Sequence, residues 1–193
     1  MTVTVLTGPS GVGKGTVVTR LIQQHPEIWL SVSVTTRSPR PGEKHGVNYW
    51  FMSDAEFDTL VASDDLLEWA LVHGVHRYGT PRQPVLEALA EGRACLLELD
   101  LAGARRVRQT MSEARTVFLM PPSRDELERR LRGRGTEDEA DLSRRFRTAE
   151  EELAAADEFD AIIVNRDVAH TCQELVGFMG LSAGIAVREN QPD

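Results

Sequence analysis

A glycine-rich segment from Gly8 to Thr16 (GPSGVGKGT) constrains the possible folds more than any other part of the sequence. It follows a short β-branched run, Val3 to Leu6, and precedes an amphipathic pattern over Thr16 to Gln24. This order predicts a strand, a tight loop and a helix. Glycines at positions 8, 11 and 13 allow backbone N–H groups to converge on an anion, and Lys14 adds a positive charge at the start of the helix. The segment therefore predicts a loop that binds the phosphates of a nucleotide.

This loop departs from the usual motif at one position. Gly15 follows Lys14 where the motif has a Ser or Thr whose hydroxyl binds Mg²⁺, and Thr16 comes one residue later. Thr16 could supply an oxygen from the next helical position, or water could fill the gap and leave the metal held mainly by ATP and carboxylate-bound waters. We favour the second, because adjacent helix positions point about 100° apart.

Short apolar runs alternate with helical patterns along the rest of the chain. Besides the first run, the predicted strands are Trp29 to Val34, Leu66 to Val72, Cys95 to Leu99, Thr116 to Met120 and Ala161 to Val164. Strands that alternate with helices predict an α/β fold with a parallel sheet flanked by helices.

Local sequence marks three helix starts. Ser53 to Glu56 and Ser123 to Glu126 have the pattern of capping boxes, and Thr80-Pro81 is typical of an N-cap followed by proline at the first helical position. Two stretches interrupt the alternation. Residues 35–89 look like an inserted mixed α/β lobe, and the charged, glycine-containing residues 132–138 are typical of a mobile lid.

Composition narrows the class of protein. A chain of 193 residues, 41% of them apolar, can form one core with a small inserted part. The formal net charge of −8 argues against binding to nucleic acid. We expect Cys95 and Cys172 to be buried free thiols in a reducing cytoplasm. The sequence has neither a signal peptide nor a membrane-spanning run, so we expect a cytoplasmic protein that does not contact membranes.

Eight strings in order carry a family resemblance: GPSGVGKGT, SVSVTTRSPRPGE, LLEWA, RYGTP, LELDLAG, FLMPPS, LRGRGT and IIVN. Over about Thr2 to Met179 the chain resembles guanylate kinases, with the bacterial type most similar. The resemblance implies a P-loop NTPase core (1–34 and 90–179), a lid at about 130–145, a lobe that binds nucleoside monophosphate (35–89) and a flexible tail (180–193). It also implies transfer of the γ-phosphoryl group of MgATP to GMP, and to dGMP.

The resemblance implies roles for individual residues. ATP would be bound by Gly8, Pro9, Ser10, Gly11, Val12, Gly13, Lys14, Gly15, Thr16 and Asn165. GMP would be bound by Ser33, Arg37, Arg40, Tyr49, Glu68, Tyr78, Thr80 and Asp100. The cations that act on the transferring phosphate would be Lys14, Arg37, Arg130, Arg134 and Arg145. Mg²⁺ would be held, in part through water, by Thr16, Glu98 and Asp100.

Physical arguments support parts of this assignment. Arg37 and Arg40 lie three residues apart on a proline-stiffened loop, which suits a bidentate grip on phosphate. The guanine edge presents two donors, N1–H and an amino group, and carboxylates such as Glu68 and Asp100 are matching acceptors. Adenine would place an acceptor there, so we expect AMP to be a poor substrate. The family usually has Asp where this chain has Glu98 and where it has Arg166.

Other interpretations remain open. Acidic residues interleave with the arginines between 124 and 147, and pairs such as Glu126 with Arg130 or Asp141 with Arg145 could form a solvated helix face. A metal site at His73 and His76 is not expected. The two rival functions are a ribose bisphosphate phosphokinase and a non-catalytic guanylate-kinase-like binding module. A homo-oligomer also remains open, since members of the family differ in assembly.

Overall fold

The phosphate-binding segment leaves the central strand of a parallel sheet. The computed structural model describes residues 2–72, 75–132 and 139–181, apart from the side chains of residues 139–143. The strands of these residues are β1 (Val3–Thr7), β2 (Ile28–Leu30), β3 (Val34–Thr35), β4 (Trp50–Phe51), β5 (Leu66–Val72), β6 (His76–Pro81), β7 (Ala94–Glu98), β8 (Arg115–Met120) and β9 (Ala161–Val164). The helices are α1 (Lys14–Gln24), α2 (Asp54–Ala62), α3 (Arg82–Ala90), α4 (Leu101–Thr110), α5 (Arg124–Arg132), α6 (Glu139–Ala154) and α7 (Val168–Phe178).

The main sheet has the order β2-β7-β1-β8-β9, and every pair in it is parallel. Val5 in β1 lies opposite Leu97 of β7 on one side and Thr116 of β8 on the other. Because β1 is central, the residues that come directly after its neighbouring strands, β7 and β8, lie beside the loop that follows β1. The α/β class and the parallel sheet predicted from the sequence are confirmed.

Both faces of this sheet are buried, which explains why its strands are almost continuously apolar. On one face, Val5 and Phe118 pack with Val107 of α4 and Val85 of α3. On the other face, Leu6 and Leu119 pack with residues of α1 and α7 such as Leu21 and Leu175. The sheet thus forms a rigid layer between two layers of helices.

A second sheet of order β4-β3-β6-β5 is formed between residues 34 and 81. It is mixed: β3 pairs with β4 in parallel, and β6 is antiparallel to both β3 and β5. Val34, Phe57 and Leu66 form its small core, against which Trp69 packs. Arg77 links α2 to this sheet, since its guanidinium donates to Asp58 at 2.5 Å and to Asp54 at 2.7 Å.

The prediction of one strand from Trp29 to Val34 is wrong. The structure divides this run between the two sheets, because Leu30 pairs with Leu96 of β7 whereas Val34 pairs with Gly79 of β6. Residues 31–33 cross the gap between the sheets. An alternating apolar pattern records which side chains are buried, and it does not record which partner strand buries them.

The three predicted helix starts have different outcomes. The capping box at Ser53 is confirmed, with both reciprocal bonds present. At Ser123 only half of the box forms, because the Glu126 N–H donates to the Ser123 hydroxyl at 3.2 Å while the Glu126 carboxylate pairs with Arg129 and Arg130. The N-cap prediction at Thr80 is wrong, since β6 continues to Pro81 and Pro81 itself caps α3.

Cys95 and Cys172 are buried and free, as predicted. Cys95 lies in β7 and Cys172 in α7, on opposite faces of the sheet. Within the described ranges, no helix combines the length and the apolar composition needed to cross a membrane. Residues 73, 133–138 and 182–193 lie outside the described residues, so the predictions for His73, for the centre of the lid and for the tail stay predictions.

We predict that Gly8→Ala destabilises the fold much more than Gly92→Ala. Gly8 has φ of +148°, and a Cβ there would overlap the carbonyl oxygen of Leu119. Gly92 also has positive φ, +72°, but a Cβ there meets no atom within 4 Å. The free energy of unfolding, measured in urea, should therefore fall by at least about 2 kcal/mol more for Gly8→Ala than for Gly92→Ala. Equal losses of unfolding free energy would show that β8 can shift, and that the close approach of Gly8 to Leu119 is not needed.

Candidate active site

The loop between β1 and α1 folds around its own lysine. Gly11 and Gly13 have φ of +83° and +100°, a region that favours glycine, and Gly13 caps α1. Lys14 opens α1, and its Nζ donates to the Gly8 carbonyl at 2.5 Å and to the Pro9 carbonyl at 3.4 Å. The first turn of α1 and the positive charge of Lys14 therefore lie together at this end of the sheet.

Two side chains hold the loop from outside by donating to the Val12 carbonyl. The Asn165 amide Nδ2 donates at 2.8 Å and the Arg130 Nη1 also donates at 2.8 Å. Asn165 is buried, and its Oδ1 accepts from the Thr171 hydroxyl at 3.2 Å. Asn165, which was predicted to lie near adenine, thus donates an amide N–H to the backbone of the loop.

The predicted lid arginines have different positions. Besides contacting Val12, Arg130 forms the predicted ion pair with Glu126, at 2.7 Å. Arg145 donates from Nη2 to the Ser10 hydroxyl at 3.3 Å, so it also reaches the loop. Arg134 and the side chain of Asp141 lie outside the described residues.

A cleft with a volume of about 480 Å³ lies on one side of the loop, and we call it the loop cleft. Its wall includes Gly11, Gly13, Thr16, Arg130, Asn165 and Arg166. Backbone of the phosphate loop and three arginines, Arg129, Arg130 and Arg166, therefore border one space that is open to solvent. Arg166, where the family usually has Asp, brings a further cation to this wall.

On the other side of Lys14 lie two adjoining pockets, with volumes of about 240 and 200 Å³, which share several walls. We call them together the carboxylate cleft. The shared walls are Ser33, Tyr49, Glu98, Leu99 and Asp100, while Lys14 borders the first pocket and Glu68 and Tyr78 border the second. The structure thus brings most of the residues predicted for GMP into one cleft beside the loop.

Glu68 is the most perturbed acid of this cleft. It is only 6% exposed, and the Thr80 hydroxyl donates to its Oε1 at 2.6 Å. Burial, helped by the charge of Asp100, raises the pKa of Glu68 to about 7 although the bond from Thr80 favours the ionised form. Asp100 caps α4, because its Oδ1 accepts from the Gly103 N–H at 2.7 Å.

Most of the guanidinium N–H groups of Arg37 already donate hydrogen bonds within the protein. Its two Nη atoms donate to the two carboxylate oxygens of Glu43 at 3.0 and 2.9 Å, its Nη1 also donates to the Ser38 carbonyl at 2.7 Å, and its Nε donates to the Tyr78 hydroxyl at 3.0 Å. The ion pair with Glu43 raises the pKa of Arg37. The other predicted arginine, Arg40, is exposed, and only its backbone N–H reaches Glu43.

Sequence reasoning missed Glu43, although it lies within the string SPRPGE. The available signal was a carboxylate three residues after Arg40 and six after Arg37, on a loop that proline and glycine fold back. Tyr49 was predicted, and it packs edge-on against Tyr78 with 5.7 Å between ring centres while Arg37 lies 5.4 Å from the centre of its ring. Burial is the main cause of the raised pKa of Tyr49.

Residues 1–180 match the family model of guanylate kinase. The chain belongs to the guanylate kinase family. It is 60% identical over 176 residues to a guanylate kinase of Thermobifida fusca (strain YX), with 91% of this chain and 89% of the relative covered. A relative in Streptomyces coelicolor is 60% identical over 173 residues, with 90% and 87% covered. A crystal structure of guanylate kinase from Anaplasma phagocytophilum superposes with a TM-score of 0.76 at 32% identity, covering 93% of this chain and 84% of that one.

These matches identify the chain as an enzyme, a kinase of the guanylate kinase family that binds nucleotides. The P-loop NTPase type of fold, predicted from the glycine-rich segment, is confirmed by the same structural neighbour. The matched region includes both clefts and every residue that lines them.

The oxygen ligands predicted for Mg²⁺ line two different clefts. Glu98 and Asp100 line the carboxylate cleft, whereas Thr16 is exposed and lines the loop cleft. Burial raises the pKa of Glu98, and the nearby charge of Lys14 opposes that rise. A carboxylate beside the lysine of the loop is an oxygen donor of the kind Mg²⁺ prefers, so Glu98 fits the ion. In the described part of the chain, no group of three or more His, Cys, Asp or Glu side chains could hold a metal by itself.

We predict that Asn165→Ala loosens the phosphate loop of this guanylate kinase family member. The substitution removes one of the two donors to the Val12 carbonyl and should lower the free energy of unfolding by about 1–2 kcal/mol. Amide hydrogen exchange of residues 11–14 should accelerate more than exchange of the sheet. Thr171→Val is the matched control, because it leaves the bond from Asn165 to Val12 in place. Unchanged exchange of the loop in Asn165→Ala would contradict the anchoring role.

Proposed function

We propose that the chain transfers the γ-phosphoryl group of MgATP to GMP, and to dGMP, giving ADP and GDP or dGDP. The observation that carries this proposal is the carboxylate cleft, in which buried Glu68 and Asp100 lie beside the Lys14 end of the phosphate loop. In this proposal residues 35–89 act as the monophosphate-binding lobe, residues 1–34 and 90–179 as the core, and residues 130–145 as the lid.

Recognition of guanine follows from the acceptors in the cleft. The N1–H and amino group of guanine need acceptors opposite them, and Glu68 and Asp100 supply these. The Thr80 hydroxyl holds Glu68 by donating to it, and Ser33 lies at the same cleft to meet O6. Adenine offers an acceptor at N1, so its complex would leave a buried carboxylate opposed by a lone pair. A mismatch of this kind can reduce kcat/KM by about 10⁴-fold.

The acceptor phosphate is proposed to bind at Arg37, Arg40, Tyr49 and Tyr78. Arg37 has five N–H donors, and four are already engaged by Glu43, Ser38 and Tyr78. A phosphate therefore receives one N–H from Arg37 unless Glu43 moves away. The exposed guanidinium of Arg40 and the two tyrosine hydroxyls supply the remaining donors.

On the donor side, the backbone of residues 8–16 and Lys14 hold the triphosphate of ATP in the proposed complex, and Asn165 lies near the adenine. Transfer between phosphate oxygens needs in-line positioning and charge stabilisation. The attacking oxygen is already anionic, so no general base is required. Lys14, Arg37, Arg130 and Arg145, with Arg134 outside the described residues, offset the charge of the transition state. When bound, Mg²⁺ would supply further positive charge to the transferring phosphate, and Glu98 is the carboxylate that would hold it.

The chain is also proposed to act in the cytoplasm. Its two cysteines are free thiols buried on opposite faces of the sheet, which suits a reducing compartment. This part of the proposal depends on the chemistry of Cys95 and Cys172 alone.

Formation of ADP with a panel of acceptors tests the proposed reaction. With ATP and Mg²⁺, GMP and dGMP should stimulate ADP formation strongly, whereas AMP, CMP, UMP and ribose 1,5-bisphosphate should not. Lys14→Ala should lower kcat with GMP by about 10²–10³-fold while thermal unfolding stays near that of the wild type. Stimulation by ribose 1,5-bisphosphate would support the rival kinase. Absence of stimulation by every acceptor would contradict catalysis and favour a binding module.

The binding of guanosine should depend on the ionisation of Glu68. Burial raises the pKa of this carboxyl to about 7, and only the ionised form offers acceptors on both oxygens to the two donors of guanine. The dissociation constant should therefore rise as the pH falls below about 7, approaching tenfold per pH unit. Calorimetry between pH 5.5 and 8.5 measures it, and guanosine avoids the titration of a phosphate. Glu68→Gln should bind more weakly and with a flat profile; the wild-type slope in this variant would contradict the role of Glu68.

A further inference from the structure

Position 15 of the phosphate loop is empty on the side that faces β7. Apart from its chain neighbours and the backbone of its own helix, a Cβ built on Gly15 would meet one heavy atom of the described residues within 4 Å, the Glu98 carboxylate oxygen Oε1, at 3.9 Å. A hydroxyl at position 15 would lie one bond further out, close to this oxygen. Gly15, which replaces the Ser or Thr of the usual motif, and Glu98, one of the two positions where Asp is usual, therefore face each other.

The Glu98 carboxylate lies beside this position. Among the described residues no donor reaches its oxygens within hydrogen-bonding distance, although it is partly buried at the end of β7. The side chain is held beside Lys14 by the parallel pairing of β7 with β1. An acid in such a place suits an oxygen ligand for a cation.

The other predicted oxygen donors are placed less well. The exposed Thr16 lines the loop cleft together with Asn165 and Arg166, away from Glu98. Asp100 lies in the carboxylate cleft, but one of its oxygens already accepts from the Gly103 N–H as the cap of α4. Glu98 is thus the carboxylate that combines nearness to the first turn of α1 with unused acceptors.

We propose that Gly15 and Glu98 are a compensating pair, in which Glu98 supplies from β7 the Mg²⁺ ligand that a hydroxyl at position 15 supplies in the usual loop. The proposal rests on the proposed function, because it assumes that MgATP binds to this loop. Glutamate is one methylene longer than the usual aspartate, about 1.5 Å, and this extra reach directs its carboxylate to the space that Gly15 leaves. With a serine at position 15 the same carboxylate would accept from the hydroxyl instead.

Binding of the β,γ-imido analogue of ATP tests the pair without relying on turnover. Calorimetry with Mg²⁺ and with EDTA gives the Mg²⁺ enhancement, defined as the ratio of the two affinities, for the wild type, Glu98→Asp, Gly15→Ser and the double variant. Glu98→Asp should lose about tenfold or more of the enhancement, because the shorter side chain falls short. The double variant should recover it to within about threefold of the wild type.

Thr19→Ala is the matched control, since it removes an exposed hydroxyl from the same helix, α1. It should keep the Mg²⁺ enhancement. Full enhancement in Glu98→Asp, a double variant no better than Glu98→Asp, or an equal loss of the enhancement in Thr19→Ala would each overturn the proposal. Retained affinity in EDTA shows that each variant still folds and binds the triphosphate. If the wild type bound no nucleotide under either condition, the proposed function itself would fail.

Discussion

The parallel pairing of β1 with both β7 and β8 is the constraint on which the rest of the molecule depends. Since all three strands run in the same direction, the loops that follow them meet at one edge of the sheet. β7 delivers Glu98 and Asp100 beside the loop that follows β1, and β8 brings Leu119 so close to Gly8 that only glycine fits there. The same three strands thus place the phosphate loop between the two clefts.

Local pairing of cations with acids explains how a chain of net charge −8 can be built to receive anions. Arg37 is held by Glu43 and Arg130 by Glu126, while Lys14 lies near Glu98. Each acid fixes the place of a cation before a substrate arrives, which reduces the cost of ordering the side chain on binding. The same acids also compete with the phosphates, so the proposed substrates must exchange partners within the site.

The sequence predicts those features that depend on neighbours along the chain. The strand, loop and helix around Lys14 and the capping box at Ser53 are of this kind, because a few consecutive residues define them. Features that depend on partners distant in the sequence were either missed or predicted wrongly. Val34 pairs with a strand more than 40 residues away, and the Thr80 hydroxyl is drawn into β6 by the buried carboxylate of Glu68.

The candidate site divides in the same way. Its residue types were predicted from motifs, and the structure gathers Ser33, Tyr49, Glu68 and Asp100 in one cleft. The contact of position 15 with Glu98 could not be predicted, because it depends on how α1 is rotated against β7. The ion pair between Glu43 and Arg37 could not be predicted either, because it forms when a loop folds back, and a loop leaves no periodic pattern in the sequence.

In the proposed complex, the loop cleft and the carboxylate cleft hold two nucleotides at once, with their phosphates meeting at Lys14. A single molecule in which adenosine and guanosine are joined through five phosphates measures this directly, because it can occupy both clefts together. Calorimetry should give one molecule bound per chain, with an affinity at least about 10²-fold above that for ATP or GMP alone, and both nucleotides should displace it. Displacement by only one of the two nucleotides, with no gain in affinity, would contradict binding in both clefts.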